Sequence, residues 1–407
     1  MRKYFSYITR PILVLSLVSL FTDMASEMLY PIMPVYLKTI GFSVLLIGLL
    51  EGFAEMIAGL SKGYFGQLSD MQQKRLPFVR LGYFLSSISK PMMAVFTYPV
   101  WIFFSRTIDR FGKGIRTAPR DALLSSQTTK ENKAKVFGFH RSLDTFGAVL
   151  GPSIALLYLY FYPGDYRNLF LIAFVPGIIA VLFTFLVKEK KSSRLNKKIH
   201  FFSFLNYGFA KYKLKSAGEV VPLNNADKNY RRLLFGLLAF ALVNSSDVLL
   251  LLKMKEAGVS DITVITIYIF YNLVYAVFSI PAGLLADKIG VRKIFIAGLF
   301  LFGIVYTGFA INQNMFVYWA LFLIYGLYAA CTEGIAKAWI SNLVVPEETG
   351  TAIGTYAALS SICALVASTL AGFLWYQFGA AYAFGFTATV VGILIIYFSS
   401  LRTVGKM

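Results

Sequence analysis

Long, nearly uncharged apolar runs recur along this chain, and they constrain its fold more than any other feature. They lie at roughly 11–37, 44–65, 78–97, 99–120, 136–160, 168–187, 233–252, 262–286, 293–311, 315–343, 351–375 and 380–401. A helix crossing a bilayer needs about 20 apolar residues. Twelve such helices take about 240 residues, which matches the 57% of this 407-residue chain that is aliphatic, aromatic, Met or Cys. Only 14% is charged, against about 25% in soluble domains. A soluble enzyme, a secreted disulfide scaffold and a disordered protein are excluded. The runs are continuous rather than alternating, which argues against a β-barrel. The fold class is therefore an all-α membrane protein with twelve transmembrane helices. Several runs exceed the bilayer's need, so tilt or extension into water is expected.

Charge orients the spans. The net charge is +19, and its placement in loops speaks against nucleic acid. Between Lys188 and Arg232 twelve basic residues face three acidic ones, whereas the links at 38–43, 312–314 and 376–379 hold one Lys and no Arg. Cytoplasmic loops carry the excess of Lys and Arg. The central segment and both termini (Arg2, Lys3, Arg10; Arg402, Lys406) are thus expected in the cytoplasm, which requires an even number of spans. The first run begins near Pro11 and carries Asp23 and Glu27, so it reads as a span rather than a cleavable leader. Cys331 and Cys363 fall inside apolar runs and read as buried thiols.

The basic stretch divides the chain into a first bundle at 1–187, a linker at 188–232 and a second bundle at 233–407. The aromatic string from His200 to Phe209, followed by Lys211, Lys213 and Lys215, suits either a helix lying on an anionic leaflet or a solvated linker.

The halves repeat. Gly66-Gln-Leu-Ser-Asp70 follows the second run, and Gly283-Leu-Leu-Ala-Asp287 follows the eighth. Gly114-Ile115 matches Gly334-Ile335, and Gly138 matches Gly354; the offsets run from 216 to 220. A parallel repeat joined by a linker is the plan of two bundles rocking about a midplane site. The second loop continues through Gly290, Arg292 and Lys293. Gly290 permits a tight turn, and Asp287 suits a helix N-terminus or a cation. This string resembles the cytoplasmic loop signature of the major facilitator superfamily. The first copy keeps Gly66, Asp70, Lys74 and Arg75 but has Met71 and Gln73 where the family usually shows a basic residue and a glycine. The fifth run, with Gly138, Gly147, Gly151 and Pro152, resembles that superfamily's antiporter signature, although Ala155-Leu156 replaces its closing glycine pair. The strings Asp109–Asp121 and Thr332–Trp339 resemble a bacterial branch whose substrates are mostly unassigned. The resemblance implies two pseudo-symmetric six-helix bundles, with the first, fourth, seventh and tenth helices lining a cavity.

Charges inside hydrocarbon cost about 2.5–3.5 kcal/mol or more, so they face a cavity or a partner. Asp23 and Glu27 lie one turn apart on the first span, and Glu55 sits on the second. Lys90, on the third, is expected to pack or to snorkel. The fourth carries Arg106, Asp109, Arg110, Lys113 and Arg116, the fifth His140, Arg141 and Asp144. In the second half, Asp247 lies deep in the seventh span, and Glu333 and Lys337 form an i,i+4 pair on the tenth. Tyr30, Tyr36, Tyr268, Tyr271 and Trp339 are aromatic candidates for a cavity wall. The candidates for proton coupling or substrate contact are Asp23, Glu27, Glu55, Arg106, Asp109, Arg110, Arg141 and Asp144, with Asp247, Glu333 and Lys337 opposite. Static salt bridges are the competing reading of each.

The leading expectation is a proton-coupled antiporter exporting a small organic solute from the cytoplasm of a bacterial cell by alternating access, as a monomer in the inner membrane. Uptake of an anionic nutrient or a metal–chelate is the alternative, suited to the cationic stripe of Arg106, Arg110 and Lys113. A membrane-embedded enzyme or sensor finds no support: there is no metal-ligand cluster, nucleotide loop or nucleophile motif, and no cofactor is called for.

Overall fold

The structure is a computed structural model. It describes residues 8–30, 32–33, 36–37, 40–42, 44–189, 212–214, 220–222, 225–312 and 314–401. The aromatic string at 200–209 and Arg2, Lys3, Arg402 and Lys406 lie outside them. All twelve apolar runs contain helix: α1 Arg10–Glu27, α2 Val44–Gln72, α3 Leu76–Val95, α4 Pro99–Ser126, α5 Lys133–Phe161, α6 Tyr166–Thr184, α7 Asn225–Ala241, α8 Asp247–Glu256, α9 Asp261–Ile289, α10 Val291–Ile311, α11 Met315–Leu343, α12 Thr349–Phe378 and α13 Ala380–Ser400. By length and composition alone, seven helical segments among the described residues suffice to cross a membrane. The charge-laden α4 is not one of them. Within the linker, Tyr212–Leu214 (β1) and Val220–Pro222 (β2) pair antiparallel, so Lys213 belongs to a hairpin rather than to an interfacial helix.

Two runs depart from the continuous spans expected. In the first, α1 ends at Glu27, turns follow at 28–30, and Met33, Tyr36 and Leu37 are helical again. The seventh breaks between α7 and α8. The break falls on Asn244-Ser245-Ser246-Asp247, polar residues that compete for backbone hydrogen bonds and favour helix starts. Ser246 accepts from the Val248 amide as N-cap of α8. Other ends use the same chemistry: Asp165 caps α6, Ser260 caps α9 and Asn314 caps α11. Gly290 and Gly379 turn the chain between long helices at φ 107° and 89°, in the left-handed region where a side chain is strained.

Contacts sort the chain into two compact units. The first comprises Met1–Thr129, Leu143–Pro222 and Val345–Ala358; the second comprises Lys130–Ser142, Leu223–Val344 and Leu359–Met407. In the first, α4 packs on α2 and α3, and α6 packs on α1 and α3. An apolar cluster around Met28, Leu29, Met33, Leu50, Met93 and Ile102 lies at the end of α1. In the second, α11 packs on α9 and α10, and α10 on α13.

Candidate functional site

The first unit concentrates its charge on α4. A side chain at Gly112 would run into Gly82 and Ser86 of α3, so the two backbones lie unusually close. That approach brings Lys90 of α3 to Asp109 of α4, with Nζ 2.5 Å from Oδ1. Lys90 also donates to Ser26 Oγ at 3.3 Å. Arg106 reaches Asp109 Oδ2 at 3.6 Å. Lys90 is only 2% exposed, so it neither snorkels nor merely packs; it enters the bundle as a counter-ion. Desolvating two such charges is repaid only by close geometry and further hydrogen bonds, and both are present.

Further along α4, Arg110 meets Glu55 of α2 at 3.2 Å, and the Glu55 side chain is 52% exposed. Arg116 lies over the Tyr83 ring at 4.7 Å and donates to Ser86 Oγ. Arg120 donates to Asp121 Oδ1 from Nε at 3.0 Å and from the NH2 nitrogen at 2.9 Å, and to Ser19 Oγ at 2.9 Å. It also stands 3.9 Å from Asp144 of α5. Asp23 and Glu27 of α1 are half-buried beside this set. Glu27 lies in the fields of Lys113, Arg110, Arg106 and Asp144, and Asp23 in that of Arg116. The sequence reading overlooked Arg120 and Asp121. Continuing the stripe from Lys113 through Arg116 by steps of three and four residues reaches Arg120, so the signal was available. His140 is buried.

The close approach of α5 to α1 depends on Gly147 and Gly151. A Cβ at Gly147 would strike Leu20 and Met24, and one at Gly151 would strike Met24, Glu27 and Met28. The glycines of the fifth-run signature therefore set where Asp144 and Glu27 sit. Pro152 follows inside the helix.

The second unit has a different wall. Asp247, the first residue of α8, accepts a hydrogen bond from the Tyr325 hydroxyl at 2.5 Å. Asn244 donates to the Tyr328 hydroxyl at 3.3 Å, and the hydroxyls of Ser245 and Tyr306 lie 3.3 Å apart. The phenols of α10 and α11 thus serve the polar groups freed where the helix breaks. Their rings form a row: Tyr268 to Tyr271 at 6.0 Å, Tyr271 stacked on Tyr325 at 5.0 Å, and Tyr325 stacked on Tyr328 at 5.2 Å. Arg141 lies over Tyr275, 5.0 Å from its centroid, and donates to its hydroxyl. It is grouped here rather than with Asp144. Glu333 is exposed and Lys337 half-buried on α11, with Glu333 close enough to act on Asp247. Of the aromatic candidates, Tyr268 and Tyr271 join the row. Trp339 packs against Phe295 and Phe398 in the core, and Tyr36 against Phe170.

The repeated loops place their acids alike. Asp70 accepts from the Thr351 amide at 2.6 Å and from its hydroxyl at 3.0 Å, capping the start of α12, and pairs with Arg75 at 2.9 Å. Asp287 accepts from the Ala134 and Lys135 amides at 3.0 and 2.8 Å, capping the start of α5. Helix N-termini offer such amides and a favourable dipole to an anion. Side chains at Gly66 and Gly283 would strike Gly350 and Ala134. Gln73, where the family usually has glycine, takes φ 50° and donates to the Asp70 carbonyl at 2.5 Å. Lys74 and Lys293 are exposed, while Arg292 donates to the Ser399 and Leu401 carbonyls.

The sequence profile of the family described as the Major Facilitator Superfamily matches residues 15–252 and 232–406. An uncharacterized MFS-type transporter of Methanocaldococcus jannaschii is 34% identical over 376 residues, covering 90% of this chain and 89% of that protein. The quinolone resistance protein NorA of Staphylococcus aureus is 30% identical over 124 residues, 30% of this chain and 32% of its own length. Among solved structures, the human organic anion transporter MFSD10 superposes with a TM-score of 0.82 at 17% identity, over 96% of this chain and 99% of that one. The Escherichia coli fucose:proton symporter reaches 0.76 at 11% identity, over 98% and 100%.

Proposed function

This chain belongs to the Major Facilitator Superfamily and is a multi-pass membrane transporter rather than an enzyme, and we propose that it exports a small organic solute by proton-coupled antiport. In this reading the bundles at 1–187 and 233–407 rock about the linker at 188–232 in alternating access. The protein works as a monomer in a bacterial inner membrane, with both termini in the cytoplasm.

The observation that carries the proposal is the half-buried pair Asp23 and Glu27, set among the bases of α4. A carboxyl group that alternates between apolar surroundings and a guanidinium binds a proton in one and releases it in the other. Glu27 is the first candidate, with Asp23, Glu55 and Asp144 as the others. Arg106 and Arg110 set the electrostatic environment of that site. The glycine face of α5, which resembles the antiporter signature, packs directly against this stretch of α1. The partial likeness to a quinolone resistance protein favours export. The organic anion transporter shares the fold, but the stripe that would draw an anion is already matched by acids: Arg106 by Asp109 and Arg110 by Glu55.

The experiment reconstitutes the full chain in liposomes, imposes a pH gradient and screens organic solutes, reading internal pH and solute content together. Glu27→Gln is expected to abolish solute-driven proton release, while Arg110→Lys retains part of it. Normal coupled transport by each of Asp23→Asn, Glu27→Gln, Glu55→Gln and Asp144→Asn would overturn the site. Movement of no solute against its gradient would overturn the antiport.

A further inference from the structure

The ionic cluster of the first unit leaves the polar break between α7 and α8 without a role. Three features of that break belong together. It is rich in hydrogen-bond acceptors: the Asp247 carboxylate is half-buried and the Glu333 carboxylate is exposed, and the buried Asn244 Oδ1 accepts no hydrogen bond. A buried acceptor without a donor is costly, and a carboxylate still has lone pairs left after one phenol has donated. On α11, Lys337 stands one helical turn from Glu333, and Arg141 is held against Tyr275.

The second feature is the row of phenol rings, which runs from the buried Tyr325 through Tyr271 to the half-buried Tyr268. Aromatic faces attract cations, more strongly when water is excluded. One ring of the α9 tyrosines already does so, since the Arg141 guanidinium lies over Tyr275. The third is the discontinuous helix itself. Inside a membrane, irregular backbone persists where it is buried in protein or lines a cavity, and substrate sites are typically built at such breaks.

We propose that the break between α7 and α8 recognises the protonated amino group of an aromatic or lipophilic organic amine, with Asp247 as counter-ion and the Tyr268–Tyr271–Tyr325 row receiving the cation and its apolar body. Asn244 Oδ1 supplies a further acceptor for the ammonium protons, and the Glu333 carboxylate adds negative charge. This names the substrate class of the transporter proposed above and rests on that reading. A carboxylate guest would face two acids here, and an uncharged one would leave Asp247 without a cation.

The test is equilibrium binding to the purified full chain in detergent, with no gradient, using three matched compounds: phenethylammonium, 2-phenylethanol and 3-phenylpropionate. Titration calorimetry is expected to show the amine binding about tenfold or more tighter than the other two. Asp247→Asn should erase that preference, Glu333→Gln should reduce it, and neither should shift the elution volume on gel filtration. Glu333 is exposed, so its replacement does not threaten the fold. Equal or better binding of the alcohol or the carboxylate would overturn the proposal, as would an undiminished preference in Asp247→Asn or no binding of the amine in the millimolar range. These outcomes are independent of proton coupling. If the amine fails to bind while Glu27→Gln still blocks proton release, the substrate class is wrong and the antiport stands. If the amine binds as expected but no coupled flux is found, the reverse holds.

Discussion

The two units of this chain deal with buried polarity in different ways. In the first, charge answers charge: Lys90 and Arg106 converge on Asp109, Arg110 meets Glu55, and Arg120 lies between Asp121 and Asp144. In the second, Asp247 is met by a phenol, and the surrounding wall is ring upon ring. The difference is one of what can be exchanged. Separating a desolvated ion pair strands two charges. A phenol can leave a carboxylate at the cost of one hydrogen bond, roughly 1.5–3 kcal/mol when one partner is ionised. In the transport cycle proposed above, the first unit carries the proton, which changes a charge without displacing a side chain, and the second takes a guest that replaces a neutral neighbour.

The comparison is broken most easily at Lys90. Lys90→Met leaves Asp109 buried without its closest counter-ion and is expected to destabilise the protein by about 3–5 kcal/mol, read as a large drop in the detergent unfolding temperature. The double variant Lys90→Met/Asp109→Leu should recover part of that loss, because it removes the stranded carboxylate but leaves the buried Arg106 without Asp109. A single variant as stable as the wild type would mean that the first unit is not held by charge. Tyr325→Phe keeps the ring and removes the donor to Asp247. Its expected cost is smaller, about 1–3 kcal/mol in the same assay. A cost equal to that of Lys90→Met would erase the distinction between the two walls. Glu55→Gln should change stability least, by less than about 1 kcal/mol, because half of the Glu55 side chain is exposed and its pair with Arg110 is screened. A large effect would show that this pair belongs with the buried ones.

The sequence carries the architecture plainly because a spanning helix needs a length of apolar residues that no loop here approaches. It also carries the two loop acids, since Asp70 and Asp287 recur at one offset and both cap a helix. The pairing of deep charges is less legible. Lys90 and Asp109 stand 19 residues apart on different helices, and only the glycine contact between α3 and α4 shows that they meet. The break in the seventh run was visible as Asn244-Ser245-Ser246-Asp247, a string of capping residues that its apolar flanks concealed. Gln73 stood out as a departure from the family's glycine, but its left-handed backbone is a property of the turn and not of the residue.

Glu189, where the linker begins, holds the Arg75 amide from both carboxylate oxygens and the Leu76 amide from one, at 2.9–3.0 Å. The linker therefore starts as a cap on α3, the helix that carries Lys90 into the bundle. A version of the protein expressed as two separate polypeptides would have to keep this glutamate on the first fragment. Cutting two residues earlier would leave those amides bare and loosen the scaffold beneath the ionic cluster, although no residue of the cluster itself would have changed.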